Sequence, residues 1–442
     1  MSTAEIRPDQ SAVFHRFLDL EYPNVERGEG VRLYLTDGTE ILDASSGGAM
    51  VACLGHGVRE IVDAAAAQAE EIAYIYYHAF TNGPQELLAE RLLEIAAPEM
   101  ARVRFVSGGS EANEMALRLA RQYHVDRGEP ERWRVISPAQ AYHGATMAAL
   151  SLSGRPALQQ PYGDYLSKHL HFDSAADAAL DALDRVLEEA GPESIAAFFC
   201  EPISAAARPA YSPPDAFWQG LEERRREHGF LVVFDEIVTG VGRTGTWFAY
   251  QQVPFVPDIV TGGKGLGAGY APLAATLCRQ HVYDALANGS REFEHGHTWD
   301  GAPQSCAVGL VVLDQLVERK LVERVHERGP GLRDELEAAV GNLAIVREVR
   351  GRGFLLGVEL VDPRDGESFL PATLHTSELV DQVAYEHGVL VTSSNSTPDG
   401  FTGDQTLLAP AFTSTDVELA EMLERFAAAL ADVERRVKDA IA

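Results

Sequence analysis

Lysine is nearly absent from this chain. Only Lys168, Lys264, Lys320 and Lys438 occur in 442 residues, and arginine carries nearly all of the remaining positive charge. Lysine used for solubility would be scattered over exposed helices. Lys264 stands instead among five glycines, in "TGGKGLGAGYAPLAA", residues 261 to 275. Small residues there let backbone or ligand come close, and an amine able to lose its proton in such a place suits Schiff-base chemistry. The plainer reading is a glycine-rich turn with an exposed lysine.

Cysteine is scarce as well. Cys53, Cys200, Cys278 and Cys306 lie far apart with no CxxC pair, which excludes a zinc ribbon or a disulfide framework and fits reduced thiols. Basic residues are outnumbered, 37 against 66 acids for a formal charge of −29, so nucleic acid and anionic membrane surfaces are excluded as main partners. No apolar run approaches membrane-spanning length. The opening "MSTAEIRPDQ" lacks the apolar core of a secretory signal, and a cytoplasmic protein is expected.

What the chain does have is a hydrophobic content of 46%, enough for a large core and two or three structural domains. "VRLYLTDGTEILDAS" alternates around Asp37-Gly38 and predicts a hairpin. Short apolar strands then alternate with amphipathic helices: "RVRFVS", "RWRVIS", "IAAFFCEP", "FLVVFDE", "DIVTGG" and "PLAATLC". That pattern implies an α/β domain with a central, mostly parallel sheet over about residues 76–325. Residues 326–442 read as a smaller α+β domain, which residues 1–75 are expected to join, since a lone hairpin is marginal in water. The polar stretch 392–405, "TSSNSTPDGFTGDQ", is expected to border the site or to move.

Several familiar motifs fail. A P-loop needs a hydroxyl residue after its lysine, and Gly265 follows Lys264. A dinucleotide fingerprint needs glycines that open a helix, whereas "YAPLAATLC" predicts a strand. The esterase elbow lacks its second glycine around Ser110. What remains is a strand, turn and helix in "VRFVSGGSEANEMALRLAR", whose first free N–H groups near Gly109, Ser110 and Glu111 would bind an anion, or whose Ser110 simply caps the helix. "FDEIVTGVGRTG" ends an apolar strand in two carboxylates that must face opposite ways. Asp235 there is expected to need a cationic partner, and Glu236 a structural salt bridge. Lys264 ends the next strand. An anion cradle, a carboxylate and an amine on one rim meet the three needs of pyridoxal phosphate.

These residues resemble the class III pyridoxal-phosphate aminotransferases of fold type I. The markers, in order, are "LGHG", "SGGSEANE", "YHG", "EP", "DEIVTGVGRTG", "GGKGLGAGYAPLAA", "HGHTWDGAPQS" and "VRGRGFLLGVEL", and they span nearly the whole chain. The resemblance implies a large domain with a mostly parallel sheet, a small α+β domain built from both chain ends, and pyridoxal 5'-phosphate as cofactor. It implies Gly109 and Ser110 at the phosphate, Tyr142 and Ile237 on the two faces of the ring, His143 beside it, Glu201 near the phenolic oxygen, and Asp235 at the ring nitrogen. It implies Thr298 reaching the phosphate of a neighbouring subunit in a homodimer or tetramer. Lys264 would hold the cofactor as an aldimine and move the proton in a ping-pong exchange between an amine or amino acid donor and a keto acid or aldehyde acceptor. The same scaffold also permits an aminomutase, an epimerase or a decarboxylase; a nucleotide-binding oxidoreductase is the more distant alternative.

One departure bears on substrate. Members that take α-keto acids commonly carry an arginine in the segment that reads "TPDGFTGDQTLLAPAFTS" here, which has no basic residue. Met50 and Arg208 are the candidate substrate contacts. The chain is therefore expected either to favour substrates without an α-carboxylate near the cofactor or to recruit an arginine from elsewhere; Arg208, which replaces a glycine in the loop after Glu201, is the candidate clamp, unless it is a surface arginine fixed by a nearby acid.

Overall fold

The structure is a computed structural model and describes residues 5–96, 98–174, 178–394 and 403–441, so that 395–402 of the polar stretch lie outside the described residues. Seven strands form the central sheet: β1 (Met100–Val106), β2 (Arg134–Pro138), β3 (Leu170–Phe172), β4 (Ile195–Cys200), β5 (Leu231–Glu236), β6 (Ile259–Gly262) and β7 (Ala274–Arg279). Their order is β1-β7-β6-β5-β4-β2-β3. Only β7 runs antiparallel to its neighbours, β6 and β1; the other pairings are parallel.

Continuous apolar runs explain this arrangement. β4, "IAAFFC", and β5, "LVVFDE", are buried along their whole lengths, as strands covered on both faces must be. Alternation divides their side chains. Ala197, Phe199, Leu231, Val233 and Ile259 pack on Ala116, Leu119, Ala120 and Tyr123 of helix α1 (Gly109–Asp126), while Phe198, Val232, Phe234 and Val260 enter the main core with Phe217 and Trp218. With a period of two, Asp235 continues the α1 face and Glu236 the other.

The chain ends meet in two smaller sheets. Val25–Glu29, Arg32–Leu35 and Glu40–Asp43 pair antiparallel, and Glu40–Asp43 then pairs in parallel with Val389–Leu390. Val346–Arg352, Leu355–Leu360, Gln405–Leu408 and Thr392–Ser394 form the second, wholly antiparallel sheet. Arg243 ties both ends to the loop after β5. Its buried guanidinium donates to Ser46 Oγ at 3.0 Å, Phe354 O at 3.1 Å and Pro410 O at 2.5 Å, and lies 4.6 Å from the Phe412 ring centre. All four cysteines are buried and free. Among the described residues no helix is long and apolar enough to cross a membrane.

Phe198 is fully buried, with the rings of Phe172 and Phe217 at 5.7 and 6.5 Å. Phe198→Ala is expected to cost about 3–5 kcal/mol through lost burial and the cavity left behind. Denaturant unfolding measures it, and unchanged stability would contradict the packing described.

Candidate active site

The ends of β4, β5 and β6 and the turn after β1 converge on one rim. β5 and β6 pair in register, Asp235 against Thr261 and Glu236 against Gly262, so Lys264 follows just past the last pair. Asp235 is 5% exposed. Its Oδ2 accepts Asn113 Nδ2 at 2.7 Å and lies 2.8 Å from His143 Nδ1, and its Oδ1 accepts the Ile237 N–H at 3.0 Å. An amide, an imidazole and a backbone N–H thus hold the Asp235 carboxylate, with no lysine or arginine at ion-pair distance among the described residues.

Asn113 is the residue that sequence reasoning missed. It also donates to His143 O at 2.7 Å and accepts Thr261 Oγ1 at 2.8 Å. The available signal was an amide one turn into a helix, on the face that packs against the sheet, where a buried polar group has to find partners. Glu236 likewise departs from expectation. It makes no ion pair among the described residues; its buried carboxylate accepts Thr239 Oγ1 at 2.8 Å, Ala249 N at 2.6 Å and Tyr250 N at 2.8 Å. Three donors on one loop satisfy it without a charge partner.

Lys264 adopts φ +43°, a left-handed value uncommon for a side-chain-bearing residue. Burial lowers its pKa, against the pull of Asp235 and Glu201, and Arg243 lowers it further. The glycine before it has a packing reason: a Cβ on Gly263 would stand 3.1 Å from Ile237 Cδ1, and one on Gly109 would stand 2.9 Å from Ile237 Cγ2. Ile237 thus lies between the lysine turn and the start of α1.

Helix α1 begins at Gly109 with Gly108 as its N-cap, so Ser110 is not the cap. The first intrahelical acceptor is Gly108 O, taken by Ala112 N–H at 3.0 Å, which leaves the N–H groups of Gly109, Ser110 and Glu111 facing outward from the turn. Ser110 Oγ accepts Ala145 N–H at 3.1 Å. Gly144 makes room for it, with φ +130° and a would-be Cβ only 2.4 Å from that oxygen.

Glu201 accepts Ala205 N–H at 3.0 Å and Tyr142 N–H at 3.4 Å. Burial, helped by the nearby Asp235 charge, pushes its carboxyl up to about 7. Tyr142 and His143 follow one another in the loop that closes over these groups, and the His143 ring meets Phe199 edge-on at 4.8 Å. Three candidates remain. Thr298 stands exposed in a surface turn with Trp299. Met50 is 5% exposed and packs among Ile203, Ala205, Leu355 and Ala409. Arg208 lies over the Tyr211 ring at 3.3 Å and is not among the charges that act on Lys264.

The rim therefore offers an amine shifted toward neutrality, a carboxylate with fixed donors behind it, and free helix N–H groups for an anion. A phosphorylated pyridine aldehyde makes those same three demands.

Comparison with known proteins agrees with this geometry. Residues 19–430 match the family Aminotransferase class-III. The uncharacterized aminotransferase YodT of Bacillus subtilis is 33% identical over 452 aligned residues, 99% of this chain and 100% of that protein. An (S)-enantioselective omega-transaminase from Thermomicrobium roseum superposes with a TM-score of 0.86 at 34% identity, over 93% of this chain and 92% of that one. An amine transaminase from an uncultivated Pseudomonas species, solved in its PLP-bound form, gives 0.85 at 33% identity over 93% and 95%. With a family match along most of its length and relatives of this similarity, the chain belongs to the class III aminotransferases, fold type I enzymes that exchange amino groups by pyridoxal-phosphate-dependent, ping-pong chemistry.

Proposed function

We propose that this rim holds pyridoxal 5'-phosphate and that the enzyme, in the cytoplasm, moves an amino group from a small amine or amino acid to a keto acid or aldehyde. The observation that carries the assignment is the half-buried Lys264, whose pKa desolvation lowers, on the same rim as an Asp235 fixed by three donors. When bound, the cofactor supplies an electron sink for charge developing on the substrate carbon.

The chain's own groups do the rest. Gly109 and Ser110 take the phosphate on the helix N-terminus. Tyr142 and Ile237 cover the two faces of the ring, and Glu201 lies by the phenolic oxygen. Asp235 keeps a proton on the ring nitrogen; Asn113 and His143 hold its carboxylate in place. Lys264 Nζ, biased toward its neutral form, would take the proton from the substrate carbon and deliver it to the cofactor carbon. Met50 backs the substrate side through packing.

The site is completed in a homodimer, or a tetramer built from such dimers, by Thr298 of a second copy. Thr298 is exposed beside Trp299, which is 57% exposed, and Tyr74 meets that indole edge-on at 5.9 Å. Tyr76 and Phe80, also exposed, extend the patch, and exposed aromatic surface of this kind marks an interaction face.

Borohydride reduction of the loaded enzyme followed by peptide mapping should place the cofactor on Lys264; label on Lys168, Lys320 or Lys438 would overturn the assignment. Asp235→Asn should retain cofactor and lose about a hundredfold or more in turnover, since an amide cannot stabilise the ring charge. Near-normal turnover in a folded mutant would argue against it. Mixing Lys264→Ala chains with Thr298→Glu chains should restore about a quarter of the sites, those pairing an intact lysine with an intact threonine. Activity no greater than the sum of the separate mutants, or a fully active monomer by light scattering, would remove the shared site.

A further inference from the structure

A cavity of about 630 Å³ lies against the end of β4, within the range of small-molecule sites. Of the rim residues only Glu201 borders it; Gly109, Ser110, Asp235, Ile237 and Lys264 do not. Its wall includes Cys200, Phe217 and Trp218, so it opens on the sheet face opposite the one that Asp235 shares with α1.

Arg208 is the one cation on its wall among the described residues. It stacks on Tyr211, hydrogen-bonds that side chain and makes one long contact, 3.5 Å, to Ser174 O, yet meets no carboxylate at ion-pair distance among the described residues. This happens in a chain with 66 acids to 37 bases. Trp218 is 1% exposed, and its indole N–H is buried with no partner. A sheltered guanidinium with a long backbone contact and no acid at ion-pair distance gains from a ligand that supplies carboxylate oxygens. Pro138, Leu180 and Phe217 provide an apolar wall beside them. Two carboxylates also border the space: Asp181, at an exposed position, and Glu201.

We propose that this cavity is a second ligand site, which takes a small carboxylate with an apolar body, the acid group on Arg208 and the body against Pro138, Leu180 and Phe217. Glu201 borders both sites and its charge acts on Lys264. Occupancy is thereby felt at the amine. That coupling rests on the proposed amino-transfer site; binding in the cavity does not.

The test is calorimetry on the holoenzyme with 3-phenylpropionate and, as its uncharged counterpart, 3-phenylpropionamide. The acid should bind at least about tenfold more tightly than the amide, as expected for a charged hydrogen-bonded contact. Arg208→Gln should erase the difference. Ala216→Phe, an exposed position at the cavity border, should block both without disturbing the core. Equal affinity for acid and amide, acid binding that survives either substitution, or no acid binding would overturn the proposal. If the acid competes with a keto acid acceptor, the cavity receives the distal carboxylate of a substrate; if it alters turnover of a carboxylate-free amine and aldehyde, the ligand is a separate molecule. Both results keep the site. A protein that binds the acid but transfers no amino group would count against the amino-transfer assignment and leave the cavity standing.

Discussion

A carboxylate withdrawn from water has to be given donors, and at Asp235 that demand draws four separate pieces of chain to one point. Asn113 brings the first turns of α1, His143 brings the loop after β2, Ile237 brings the start of the loop after β5, and Thr261 is joined through Asn113 from β6. None of these contacts is a strong ion pair with lysine or arginine. Their strength is in number and direction, because amide, imidazole and backbone N–H each fix an angle as well as a distance. The positions of the helix N-terminus and of the lysine turn relative to the carboxylate follow from them.

The adjacent carboxylate does different work with the same chemistry. Glu236 turns to the other face of β5 and gathers the N–H groups of Ala249 and Tyr250 with the Thr239 hydroxyl. The loop between β5 and that segment carries both Ile237 and Arg243, so Glu236 anchors the far end of a loop whose near end faces the rim. Arg243 extends the hold to Ser46, Phe354 and Pro410. Its own pKa falls to about 10 through burial, and its charge is one of those that bias the Lys264 amine. Packing of the chain ends is thus electrically connected to the amine.

Much of the fold was legible in the sequence because its signals are local. Continuous apolar runs such as "IAAFFC" announce strands covered on both faces, Asp37-Gly38 announces a turn, and a lysine among glycines in a lysine-poor chain announces an amine with a special setting. The partners of buried groups were less legible, because pairing is a property of the folded whole. Asn113 reads as one more polar residue in a helix until the sheet is placed against it. Glu236 was given a salt bridge because the loop that returns to satisfy it lies thirteen residues on. Arg208 follows Glu201 closely in sequence, yet the turn to Tyr211 lays its guanidinium over that ring. Thr298 stands exposed in a surface turn, away from the strand ends that form the rim.

The parallel pairing of Glu40–Asp43 with Val389–Leu390 imposes an order of events at the ribosome. The first fifty residues emerge early, but Thr392, whose hydroxyl bonds Gly48 O, comes 344 positions later. All seven strands of the central sheet are complete by Arg279, so the large sheet can close during translation while the N-terminal strands, with Ile41 and Leu42 destined for burial, still lack their last neighbour. A nascent chain halted before residue 389 would carry a finished scaffold and an open apolar edge, the combination that chaperones and proteases recognise.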